Sequence, residues 1–150
     1  MATIQDVTLS IYTRVKAIAD EVSMGFAATT SIESASSSLM DGVDKLVLVQ
    51  TKLKDGVFLD AEYKIFVSFA TTTDVNSIKE AEITSKLLAA FPAFSRVCIF
   101  QAEDLKKIPS VYTDTGKAMV VKTIGQDIVS MTQMHNNLSA VVITLTGYIK

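Results

Sequence analysis

Positions 57–69 read Val57-Phe58-Leu59-Asp60-Ala61-Glu62-Tyr63-Lys64-Ile65-Phe66-Val67-Ser68-Phe69, with every odd position apolar and most even ones polar. Period-two alternation of this length predicts a long β-strand with one wet face. On a helix, Val57, Leu59, Ile65 and Val67 would scatter around the cylinder. A different period opens the chain. Ile4, Val7, Ile11, Val15, Ile18 and Val22 recur at spacings of three and four, which predicts an amphipathic helix over 4–22. Thr3 is placed to cap its first turn, Asp6 complements the positive end, and Gly25 marks its stop. Glu21 lies near the negative end and weakens the last turn.

Between these elements, positions 27–38 are nearly all small or hydroxylated and predict a long loop. The wider segment 24–44 reads as a plain surface loop or as an arm that orders against a neighbouring subunit. A strand over 46–53 then turns back into the long strand. A three-residue loop at Lys54-Asp55-Gly56, with Gly56 left-handed and a bulge, pairs Leu53, Thr51, Val49 and Val47 with Val57, Leu59, Ala61 and Tyr63, keeping one face apolar on both strands.

Ile78, Ile83, Leu87, Leu88 and Phe91, with charges between them and Pro92 following, predict a second helix over 74–91 that covers the odd-numbered side of the sheet. Positions 95–101 predict a short buried strand containing Cys98 in its core. Positions 102–116 read as loop, with a helical turn near Leu105. Positions 118–134 suit a helix or two short strands broken at Gly125; the strands are favoured because His135-Asn136-Asn137 reads as a turn into a last strand over 138–149, and a hairpin needs a strand before it. That last strand is apolar on both faces, which places it centrally or against a partner. The fold class is therefore α+β in a single domain, 1–150, with a mixed, mainly antiparallel sheet packed against an N-terminal and a central helix.

Composition narrows the function by exclusion. A net charge of −2 with scattered Lys and Arg gives no basic stripe to grip nucleic acid. One cysteine excludes an internal disulfide, the N-terminal stretch lacks a secretory layout, and no apolar run approaches the roughly 20 residues of a membrane helix. A cytoplasmic protein, or one assembled there, is expected. His135 has no Cys or carboxylate at ligand spacing, so neither a metal site nor a nucleophilic triad is expected, and no phosphate loop or dinucleotide fingerprint occurs. No cofactor and no enzymatic activity are predicted. Asp60 and Glu62 share a strand face with Lys64, as paired carboxylates for acid–base work would, but also as a solvated sheet face would. The same face carries Phe58 and Phe66. Phe58, Asp60, Glu62, Lys64 and Phe66 thus form a candidate subunit or partner interface, with aromatics for contact area and charges for orientation.

The order of elements carried by 4–22, by 57–69 running into 74–91, and by 138–149 resembles the tail terminator proteins of long-tailed bacteriophages. The resemblance spans most of the chain as a pattern of elements, without a short motif. It implies a structural virion protein that forms a homohexameric ring on the tail tube, ends tube growth, and joins the tail to the head through a head-completion protein. DNA would pass through the ring unread. The segments 24–43 and 118–134 are longer than that pattern needs. Alternatives are another ring-forming neck, head-completion or tail-tube subunit, and a small ligand-binding domain or enzyme with a pocket between the second helix and the sheet, for which Tyr63 and Tyr112 are the only polar candidates.

Overall fold

The opening apolar stripe forms helix α1, Ile4–Glu21, in the computed structural model, which describes residues 2–30, 43–69, 74–101, 113–131 and 136–149. Thr3 and Asp6 make a reciprocal capping box: the Asp6 amide donates to Thr3 Oγ1 at 3.1 Å and the Thr3 amide donates to Asp6 Oδ2 at 2.9 Å. The helix stops before Gly25. Ser23 takes the left-handed conformation (φ 58°), with Met24 N–H donating to Ala19 O at 2.8 Å and Ser23 N–H to Asp20 O at 3.2 Å. That is the Schellman pattern, and because Ser23 turns the chain, Gly25 is free to begin a strand. Glu21 is not left uncompensated at the helix end, since Lys86 Nζ donates to its Oε1 at 2.6 Å.

The strands are β1 Gly25–Thr29, β2 Lys45–Asp55, β3 Leu59–Ser68, β4 Arg96–Gln101, β5 Thr113–Met131 and β6 Asn136–Gly147, and the second helix, α2, is Asp74–Ala90. They form one sheet in the order β1-β2-β3-β6-β5-β4, antiparallel except for the β1–β2 pair. Among the described residues the fold is thus α+β, with two helices on a mixed, mostly antiparallel sheet. The outermost strands β1 and β4 both pack against α1. Five strand spacings of about 4.8 Å would hold the edges of a flat sheet roughly 24 Å apart, against about 10 Å for a helix diameter, so the sheet must curl around α1. Ser10 fastens one edge: its Oγ accepts from Phe100 N–H at 2.9 Å while donating to Asp6 O at 2.7 Å.

Several expectations are corrected. Part of the small-residue stretch is strand β1, which pairs with β2 from Gly25↔Lys45 to Thr29↔Val49; residues 31–42, the rest of the expected arm, lie outside the described residues. The β2–β3 turn is 56–58, and Asp55 pairs with Leu59; Gly56 has no positive φ, and the irregularity falls at Thr51. Moving the bulge there changes strand parity, so Leu46 and Leu48, rather than Val47 and Val49, share the core face with Tyr63 and Ile65. Val57, expected in the core, is 77% exposed in the turn. The main cover of the odd face is α1; α2 lies against α1 and adds Ile83, Leu87 and Phe91 to the same core.

Cys98, expected inside, points outward, because β4 alternates and buries Val97 and Ile99 instead. Thr113 to Gly116, expected as loop, belong to β5, where Gly116 (φ 76°) sits at a register shift and its amide donates to Asp114 Oδ1 at 2.8 Å. The strand β5 runs through Gly125 without a break, so 113–131 is one element rather than two strands or a helix. The last strand is central, between β3 and β5, as its two apolar faces predict. The expected helical turn near Leu105 and the His135 position lie outside the described residues.

Candidate subunit interface

The β3 side chains divide between two surfaces. Leu59, Ala61, Tyr63 and Ile65 enter the core with α1, while Asp60, Glu62 and Lys64 lie half-buried on the other face. Across the ladders Asp60 stands opposite Lys54 and Thr146, and Glu62 opposite Lys52 and Thr144. Opposite charges thus sit on neighbouring strands, each such pair adding a few tenths of a kcal/mol. Thr51 Oγ1 donates to Glu62 Oε1 at 2.8 Å, which ties the bulge to the charged row, and Lys64 Nζ reaches the same carboxylate at 4.0 Å.

Toward the base of the hairpin this face turns apolar. Lys64 pairs with Val49 and Val142, and Phe66 pairs with Val47 and Ala140. Phe66 is fully buried there, as are Val47, Val49 and Ala140, all apart from the α1 cluster. Phe66 is therefore core and cannot serve as an exposed contact in the folded chain. The even-numbered rule fails because the sheet is apolar on both faces near its base.

Phe58 does meet solvent. It is 56% exposed in the 56–58 turn, and the pairing of Leu59 with Gly147 brings it edge-on to Tyr148, ring centroids 6.5 Å apart and planes at 77°. Lys117 Nζ lies 5.5 Å from the Tyr148 centroid, within cation–π reach. Tyr148 and Lys117 were not legible as neighbours of Phe58, since only the β3–β6–β5 register joins them. Gly147 makes this corner possible: a Cβ there would stand 2.7 Å from Met119 Sδ and 2.8 Å from Ala118 O.

Protein-family models give no match to this chain, and neither do curated protein sequences.

Chemistry is sparse in what the structure describes. Among the described residues no group of three or more His, Cys, Asp or Glu side chains gathers at metal-binding distance. One polar cluster lies inside instead. Tyr63 is fully buried and its hydroxyl makes no hydrogen bond of good geometry, with the Thr8 side chain as a weak partner; Nε2 of Gln50, the residue directly opposite on β2, has no partner. Burial pushes the Tyr63 phenol well above the ordinary tyrosine range, opposed in part by a weak hydrogen bond with the Thr8 side chain and reinforced by Tyr12. Those two also line a groove of about 210 Å³ on the flank of α1, with Ile4, Gln5 and Leu9. Polar groups thus converge beneath α1 rather than between α2 and the sheet, where the sequence places a ligand pocket. Tyr112 lies outside the described residues.

Proposed function

We propose that this chain is a structural virion subunit, the tail terminator of a long-tailed phage, forming a homohexameric ring that caps the tail tube, ends its growth and receives the head-completion protein. The observation that carries this reading is the hairpin corner where Val57 and Phe58 project from the core beside Tyr148. Exposed aromatics of this kind supply contact area, and the adjoining row Asp60, Glu62 and Lys64 supplies orientation. A net charge of −2 suits a ring that lets DNA pass without holding it. Assembly takes place in the host cytoplasm, and the mature location is the virion tail or neck. The test is mass and shape by light scattering and electron microscopy, with and without purified tail tubes. Rings or capped tube ends are expected; a protein that stays monomeric and ignores tube ends refutes the reading.

A second reading, a small ligand-binding domain, is favoured by one observation, the poorly partnered Tyr63 hydroxyl and the unpartnered Gln50 Nε2 beneath α1. It requires that a neutral, hydrogen-bonding ligand raise the melting temperature of the wild type and not of Tyr63→Phe. A screen of such ligands with no shift above the scatter rejects it.

A further inference from the structure

No further inference is drawn: the strongest candidate, the groove of about 210 Å³ along the flank of α1, is lined by Ile4, Gln5, Thr8, Leu9 and Tyr12 without reaching the Tyr63 hydroxyl or Gln50 Nε2 beneath α1, and nothing in the structure shows what fills it.

Discussion

Replacing Tyr63 with Phe removes one oxygen and leaves the ring in place, and it should make the protein more stable. The hydroxyl is buried with no hydrogen bond of good geometry in the folded state, the Thr8 side chain offering only a weak one, whereas in the unfolded chain it is hydrated. A buried hydroxyl left in this condition costs about 1–3 kcal/mol, and the missing atom leaves a hole too small to cancel more than part of the gain. We therefore expect a net stabilisation of roughly 0.5–2 kcal/mol. With a urea slope of about 2 kcal/mol per M, the unfolding midpoint should rise by roughly 0.3–1 M at unchanged slope. The pH dependence has a definite sign. The folded pKa of Tyr63 is raised above the ordinary value of 10.0. The unfolded chain therefore ionises first, and the contribution of the neutral phenol is present below pH 10 and lost as pH rises above it. Tyr63→Phe should flatten that alkaline loss. A midpoint lowered by Tyr63→Phe at neutral pH, or an alkaline profile identical to wild type, would refute the reasoning by showing that the hydroxyl is well partnered.

Two further substitutions probe the surfaces of the hairpin. Phe58→Asp should leave the circular dichroism and melting temperature near wild type while abolishing tube capping, whereas Phe66→Asp, which places a charge in a fully buried site, should prevent folding at 25 °C; equal effects on folding would contradict the separation of corner and core. Gly147→Ala, whose added methyl would overlap Ala118 O and Met119 Sδ, should destabilise by about 1–3 kcal/mol in urea titration, and an unchanged midpoint would mean that β5 and β6 can separate there without loss.

The elements legible in the sequence were those with a local period. Ile4 to Val22 repeats at helical spacing, and Leu59 to Ser68 alternates, and each forms the element its period predicts. Register was not legible. Which residues of β2 face the core depends on the bulge at Thr51, and nothing in Gln50-Thr51-Lys52 distinguishes that position from its neighbours. Strand β1 is not legible because Gly-Phe-Ala-Ala-Thr has little side-chain volume to show a pattern, and its parallel partner is twenty residues away in sequence. The outward direction of Cys98 is hidden because Val97-Cys98-Ile99 looks uniformly apolar, whereas an edge strand against one helix needs only alternate side chains inside. At the candidate interface, Phe58 and the charged row could be found by alternation alone. Phe66 could not, since its burial comes from Val47 and Ala140 on strands beside it.

The strand order has a consequence for how the chain is made. Strands β1, β2 and β3 are neighbours built from the first half of the sequence, β4, β5 and β6 from the second, and one seam, β3 to β6, joins the halves. During synthesis the first half emerges earlier, and until β6 arrives the far side of β3 is an open edge with unpaired amides. Asp60, Glu62 and Lys64 are spread along that edge. Charged residues on an exposed strand discourage pairing with a stranger, so this row acts as a guard on the nascent chain, holding the seam open for β6.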